Sequence, residues 1–377
     1  MPRTGMPSVY VYPLPPMLTG TWLYDNLTAG DHDYHFRAEL ELTERFQQMP
    51  QAAPENADML LVPFMLTQAF TKLRKGRKGA PGHAQLLKWE TDVVAAMRHI
   101  GPWWDTRRER HAIFSQRCAG PPHEPNGLRA RSLAVGTWPA LWEDPQVTLL
   151  CFEPATYTAM GRGVFIPYGV GHGSNDQLCP AGDAARVGPP SPSAPRSALL
   201  MFAGSVATNP ARKPWVEAMR TVGEPVSRLM LFDKANRKHF NPSHLEMALR
   251  DSSFSLHLRG HVGPRKAIMD SIRCGSLPVI ASDRTPFAFS DGIDYGAFVL
   301  RVPERANASR LLTALRNIPN AQLVQMRTTM AAAARILDCG PHGAMAPAVL
   351  RRFVRVANRT LHSVPRKTNT PMQLLAL

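Results

Sequence analysis

Short apolar runs bounded by turn-forming residues recur along the chain and predict buried β-strands. These runs cover 9–12, 59–64, 147–152, 198–203, 228–232, 254–258, 277–281 and 297–302. Between many of them, apolar residues recur every three to four positions, as on one face of a helix. The predicted helices cover 34–47, 83–99, 211–221, 243–250, 265–274, 308–317, 320–337 and 345–364. Strands that alternate with helices predict parallel sheets with crossover helices, the α/β class.

Domain organisation follows from the length and from one biased segment. The 377 residues exceed what a single hydrophobic core usually holds together, so we expect two domains. Residues 180–197 are rich in Pro, Ser and Gly and are typical of a linker or a long surface insertion. We predict a first domain over 1–190 that ends in this linker and a second domain over 191–340. A C-terminal helix and tail over 341–377 are expected to pack across the two domains.

The strong positive charge indicates which kinds of binding partner the protein can attract. A formal net charge of +15 attracts polyanions at low salt, and phosphates, acidic glycans and nucleic acids all qualify. The sequence has no zinc-finger spacing, no evident recognition helix and no basic strand interleaved with aromatic residues. A nucleic-acid-binding protein is therefore an alternative motivated by charge alone, and we expect no nucleic-acid partner.

Cysteines and glycosylation sequons leave the cellular compartment open. Five cysteines without a CxxC pair are compatible with one or two disulfides and a free thiol. Sequons at Asn26, Asn307 and Asn358 would accept glycans if the chain enters the secretory route. No apolar run reaches the ~18–20 residues needed to span a bilayer, and no targeting segment is visible. Any membrane anchor is therefore expected to precede this sequence.

A turn suited to a diphosphate or a sugar is predicted after the strand at 198–203. Gly204 lets backbone amides approach a ligand closely, and the Ser205 hydroxyl can donate a hydrogen bond. An ordinary turn is the alternative interpretation of this short motif. Asp283 follows the strand at 277–281, and ligands of open α/β sheets bind beyond the carboxyl ends of such strands.

The helix that starts after Pro264 and ends before Gly275 is the second candidate element. Proline suits the first helical position and glycine the position after the last turn. Its free N-terminal amides would suit a doubly charged phosphate group, together with the nearby side chains of Arg259, His261, Arg265 and Lys266. Asp270 lies further along the helix and could accept hydrogen bonds from ribose hydroxyls. The alternative for Asp270 is a carboxylate that faces solvent.

This region resembles the donor-binding half of the exostosin family (glycosyltransferase family 47). The family carries Ser-x-Phe-Cys-Leu, a glycine, an acidic residue on a helix, then Gly-Cys-x-Pro-Val-Ile and Pro-Phe. The matching residues are Ser253, Phe254, Leu256, Gly260, Asp270, Gly275, Pro278, Val279, Ile280, Pro286 and Phe287. The turn at 202–205 with Arg212 is similar to the family's Phe-x-Gly-x and downstream Arg.

In the first half, 54–64 resembles the family's Asp-Pro-Glu-x-Ala-Asp-x-Phe-Phe-Val-Pro segment. Trp104 and His111 fall on its Tyr-Trp-Asn and Arg-Asp-His residues, although Arg110 replaces the acidic member.

The resemblance implies the GT-B architecture, in which two Rossmann-like α/β domains face a cleft. The first domain would hold the acceptor and the second a nucleoside-diphosphate sugar. We expect an inverting glycosyltransferase that moves a sugar from a UDP-linked donor to a glycan or glycoprotein. The expected location is the Golgi lumen, with membrane association where an anchor precedes this sequence. The predicted donor-binding residues are Gly204, Ser205, Arg212, Ser253, His257, Arg265, Lys266, Asp270 and Asp283.

The expected chemistry needs a base for the acceptor hydroxyl, and no metal. Asp25, Glu44 and His111 are the candidate bases, each with a surface or structural role as the alternative. For His111 that alternative is a core histidine with a satisfied ring nitrogen. No Asp-x-Asp motif is present, so we expect no metal and no other cofactor beyond the sugar donor.

Three departures from the family motifs support an inactive alternative. Ala267 stands where the family has an arginine that faces the donor phosphates, and Ser255 and Ser276 replace cysteines. Arg265 or Lys266 could supply the charge, but we expect them on a different face of the helix from position 267. An exostosin-like protein that binds glycans or nucleotides without catalysis is therefore the second hypothesis.

Overall fold

A computed structural model describes the chain in two compact α/β units. The described residues are 5–21, 38–65, 81–117, 146–153, 163–168, 179, 191–207, 209–232, 241–259, 266–282, 285–340 and 342–360. The strands are β1 (Val9–Val11), β2 (Met59–Leu61), β3 (His111–Arg117), β4 (Thr148–Glu153), β5 (Gly163–Phe165), β6 (Ala198–Gly204), β7 (Ser227–Leu231), β8 (Ser252–Leu258), β9 (Leu277–Ala281) and β10 (Leu300–Val302). The helices are α1 (Pro16–Thr19), α2 (Ala38–Gln48), α3 (Pro81–Ile100), α4 (Trp103–Thr106), α5 (Lys213–Val222), α6 (Pro242–Asp251), α7 (Lys266–Cys274), α8 (Ala308–Arg316), α9 (Asn320–Ile336) and α10 (Met345–Thr360).

The first unit contains a parallel sheet in the order β1-β2-β3-β4-β5. Its interior is apolar, with Phe64, Phe114 and Phe152 fully buried. Helix α10 also belongs to this unit, because the chain returns to it after residue 344. This helix packs on α2, β2 and β5.

The second unit contains a parallel sheet in the order β10-β9-β8-β6-β7. Strand β6 therefore has β7 on one side and β8 on the other, so the order of the chain through the sheet reverses between β6 and β8. The hydrophobic core of this unit includes the buried side chains of Phe202, Phe254 and Val279. The described residues of this unit lie between 170 and 344, and the linker over 180–197 and the domain bounds stay predictions.

Helix α7 is fixed at its carboxyl end by sequence-encoded contacts. Gly275 has a φ of 80°, where glycine avoids the penalty of a side chain. The Ser276 amide donates to the Ser271 carbonyl at 3.0 Å and the Gly275 amide to the Ile272 carbonyl at 3.4 Å, which is a Schellman motif. The predicted glycine stop is therefore present.

A disulfide links Cys179 to Cys274 at the same end of α7, with the two Cα atoms 5.2 Å apart. The two cysteines share an apolar cluster with Met201 and Leu249. Cys151 is also disulfide-bonded, whereas Cys339 is buried and is not part of a disulfide. These states agree with the one or two disulfides expected from the sequence.

The α/β class and the two parallel sheets are confirmed, whereas the cleft between the domains stays a prediction. Strands β3 and β5 were not predicted. β5 has only three residues, too few for a pattern, and β3 opens and closes with polar residues around a short apolar run. Among the described residues, no helix has the length and apolar character that a bilayer span requires.

Candidate functional site

The candidate site lies where the strand order of the second sheet reverses. β6 and β8 are neighbours, and their carboxyl ends lie side by side at Gly204 and Leu258. Ligands of open α/β sheets bind at such switch points.

Arg212 ties the two loops of the switch point together. It is the last residue of a short 3-10 turn, Pro210–Arg212, and is 1% exposed. Its Nη1 donates to the Ser205 carbonyl at 2.6 Å and its Nε to the Arg259 carbonyl at 3.0 Å. A longer contact of 3.4 Å joins Nη2 to the Leu258 carbonyl. The guanidinium thus positions the backbone of both loops, and burial lowers its pKa.

Gly204 and Ser205 stand at the carboxyl end of β6, where the sequence places them. A Cβ atom at Gly204 would lie 3.0 Å from the Phe202 ring, so packing also favours glycine here. The Ser205 hydroxyl accepts a hydrogen bond from the Ala207 amide at 3.2 Å, which shapes the turn. The turn is half-buried and its serine oxygen keeps capacity for a further hydrogen bond.

Lys266 and Asp270 form an ion pair at the start of α7. The Lys266 Nζ lies 2.7 Å from Oδ1 and 2.9 Å from Oδ2 of Asp270, whose side chain is nearly buried. Residues three or four apart share a helix face, so Lys266 can pair with the Asp270 carboxylate, as a basic residue at position 267 could also do. Whether Lys266 takes the place of a basic residue at 267 toward the donor stays a prediction. Each carboxylate oxygen has a second lone pair that a ligand hydroxyl could use.

His257 connects β8 to α7 through buried hydroxyls. Its Nε2 lies 3.0 Å from the Oγ atoms of both Ser255 and Ser271, and the imidazole is 6% exposed. Ser271 also donates to the Ala267 carbonyl at 2.8 Å. Because Ser271 is next to Asp270, this network fixes the rotation of the helix that carries the carboxylate. His257 therefore contributes to the site through α7.

Of the remaining predicted donor residues, only Ser253 is described, and it lies away from the switch point. Ser253 is the second residue of β8, about 16 Å along the strand from Leu258 at the usual rise. Arg265 and Asp283 lie outside the described residues.

The two candidate bases that the structure describes, His111 and Glu44, belong to the first unit. His111 is fully buried at the start of β3, with Nδ1 at 3.0 Å from the Arg107 carbonyl and Nε2 at 2.8 Å from the Tyr12 hydroxyl. A carbonyl only accepts, so Nδ1 carries the proton and Nε2 accepts from Tyr12. This fits the core histidine left open by the sequence. Glu44 is exposed on α2, and Asp25 lies outside the described residues.

At the same edge of the second sheet, Arg259 was a predicted phosphate neighbour, whereas Trp215, Arg301 and Glu304 were not predicted. Arg259 lies 3.7 Å from the Glu304 carboxylate, and the Trp215 indole donates to the Glu304 carbonyl at 3.2 Å. Arg301 donates to the Ser282 and Thr285 carbonyls and so holds the loop after β9. The sequence signal that could have identified such residues is a charged residue that closely follows a predicted strand.

The switch point can accommodate an anionic, hydroxyl-rich ligand. Backbone amides after β6 and at the start of α7 can donate to phosphate oxygens, as can Lys266 and Arg259. The Asp270 carboxylate can accept from sugar or ribose hydroxyls. Within the described ranges, no three His, Cys, Asp or Glu side chains are grouped so that they could hold a metal ion.

Comparison with known proteins yields a match to a glycosyltransferase family. The sequence model of the Exostosin GT47 domain matches residues 4–318, which include both sheets. Among solved structures, a glycosyltransferase from Rickettsia africae ESF-5 aligns over 90% of this chain and 84% of that chain, with 9% sequence identity and a TM-score of 0.37. No curated protein matches the chain significantly.

Proposed function

The chain belongs to the exostosin GT47 family of glycosyltransferases, and on this premise we propose that it moves a sugar from a UDP-linked donor to a glycan or glycoprotein. The observation that supports this assignment is the switch point of the second sheet. There, Arg212 ties the loops after β6 and β8 together, and the next helix along the chain carries the Lys266–Asp270 ion pair. The second unit would thus be the donor domain.

The proposed reaction inverts the anomeric carbon. The acceptor oxygen forms a bond to that carbon while the bond to the phosphate oxygen breaks, and the nucleoside diphosphate leaves with the electron pair. The acceptor proton passes to a basic side chain. Negative charge therefore grows on the leaving diphosphate, where Lys266, Arg259 and the first amides of α7 can stabilise it.

Lys266 would supply the charge that the family places at position 267. The lysine reaches the Asp270 carboxylate with both contacts below 3 Å, although alanine occupies 267. We expect Lys266→Ala to raise the donor KM about tenfold or more, since a charge-assisted hydrogen bond contributes about 1.5–3 kcal/mol. Adding Ala267→Arg to that variant should recover most of the affinity. Failure of this rescue would count against the compensation.

The proposed reaction needs no metal and takes place in the secretory route. Basic side chains and helix amides can take the charge that a divalent cation would otherwise neutralise. The disulfide between Cys179 and Cys274 supports an oxidising compartment such as the Golgi lumen.

Ala267 also favours a second function, an exostosin-like protein that binds glycans or nucleotides without transfer. This hypothesis would hold if Lys266 is committed to Asp270 and leaves the donor phosphates without a cation. Calorimetry with several nucleotide sugars separates the hypotheses, because a pure glycan binder gives no heat with any of them.

The test of the proposed function is release of nucleoside diphosphate from a panel of UDP- and GDP-sugars. We expect the wild type to hydrolyse at least one donor slowly and Asp270→Ala to lose that activity. Glu217→Ala is the matched control, because Glu217 also pairs with a cation on a helix of the second unit but is exposed. Full activity in Asp270→Ala would show that Asp270 is not part of the donor site.

A further inference from the structure

We propose that Asn307 carries an N-linked glycan; the proposal rests on the secretory location within the proposed function. Asn307 and Ser309 are exposed and form the sequon Asn-Ala-Ser. The asparagine is the N-cap of α8, with φ −75° and ψ 119°, so it stands outside the helix. A glycan at this position would project from the surface of the second unit.

The amide of Asn307 is oriented for modification. Its Oδ1 accepts from the Ser309 and Arg310 amides at 2.9 and 3.1 Å. The oxygen of the amide is thus turned toward the helix, and Nδ2 points away from those bonds. In the described part of the chain, Nδ2 makes no hydrogen bond, so no native contact is lost when a sugar is attached.

The modification leaves the helix cap intact. Nδ2 bonds to the anomeric carbon of a lipid-diphosphate oligosaccharide, the lipid diphosphate leaves, and one amide proton passes to the base of the host's transferase. Oδ1 remains a carbonyl oxygen, so it can still accept from the two backbone amides. A chain glycosylated before folding can therefore adopt the same α8 N-terminus.

The other two sequons have less structural support as glycosylation sites. Asn358 lies in the last turn of α10, where helical backbone continues on both sides, and Asn26 lies outside the described residues. The Cys179–Cys274 disulfide adds an independent indication of the compartment in which glycans are attached. Asn307 is thus the sequon for which the described structure supports modification.

To test the proposal, the full chain is expressed in eukaryotic cells with a cleavable N-terminal secretion signal, which directs it into the secretory route. Peptide-N-glycosidase should convert Asn307 to aspartate, as read by mass spectrometry of its peptide. Ser309→Thr should keep the glycan. Ser309→Ala and Asn307→Asp should lose it, although both keep an oxygen that caps α8.

An unmodified Asn307 peptide in secreted protein would overturn the proposal. So would a glycosylated wild type that is retained as misfolded while Ser309→Ala is secreted normally, because the fold would then not accommodate the sugar. Donor hydrolysis measured on the same secreted protein reports on the transferase assignment, so the two ideas can fail separately.

Discussion

Replacing Arg212 by alanine removes the side chain that holds the switch-point loops together. The guanidinium donates to the Ser205 and Arg259 carbonyls at 2.6 and 3.0 Å, from a position that is 1% exposed. After the substitution these acceptors lose their donor inside the protein. We therefore expect a loss of stability and a separation of the loops after β6 and β8.

The size of the effect follows from the two short bonds. A hydrogen bond to a charged group contributes about 1.5–3 kcal/mol, so two give about 3–6 kcal/mol, and the 3.4 Å contact to Leu258 adds little. Desolvation of the guanidinium, which also lowers the pKa of Arg212, offsets part of this gain. We expect Arg212→Ala to lower the free energy of unfolding by about 2–4 kcal/mol.

Chemical denaturation measures this loss, and two variants control it. Arg212→Lys keeps the charge, but one ammonium cannot span the same carbonyls as a guanidinium, so it should lose most of the same stability. Arg220→Ala, on the exposed face of α5, should change stability by less than about 0.5 kcal/mol. An unchanged midpoint for Arg212→Ala would refute the positioning role. Wild-type stability in Arg212→Lys would show that charge alone suffices.

Three further predictions concern the core, the disulfide and the metal. Tyr12→Phe should cost about 1–2 kcal/mol of unfolding free energy because His111 loses its donor, with Tyr10→Phe near neutral; a loss of turnover per folded molecule would contradict this structural role. Cys179→Ser should cost up to about 4–5 kcal/mol, since the disulfide joins residues 95 apart; denaturation midpoints that do not respond to reductant would contradict it. Donor hydrolysis should survive a chelator, and complete loss would show that a metal is needed.

Hydrophobic periodicity was sufficient to predict most of the second unit. The helix predicted at 265–274 and the strand at 277–281 match α7 and β9 within a residue, because Gly275 separates the two patterns with a left-handed turn. The strand at 254–258 begins two residues earlier in the structure, at Ser252, where the sequence turns polar. Local signals therefore fix these elements.

The direction of a side chain was harder to predict than its place in the chain. Arg212 was expected to face donor phosphates, but its guanidinium bonds to backbone carbonyls of two loops that are 54 residues apart. Lys266 was expected on a different helix face from position 267, and its ammonium pairs with Asp270 one turn further along α7. The contacts of Arg212, in contrast, depend on tertiary neighbours that no local pattern records.

Hydrogen exchange measures directly whether the donor binds at the switch point of the second sheet. Exchange of wild-type amides is followed by mass spectrometry with and without a saturating UDP-sugar. If the donor binds there, the amides of 204–207 and 266–270 should be protected, with no comparable change at the His111 end of β3. Protection confined to the first unit, with 204–207 and 266–270 unchanged, would contradict it.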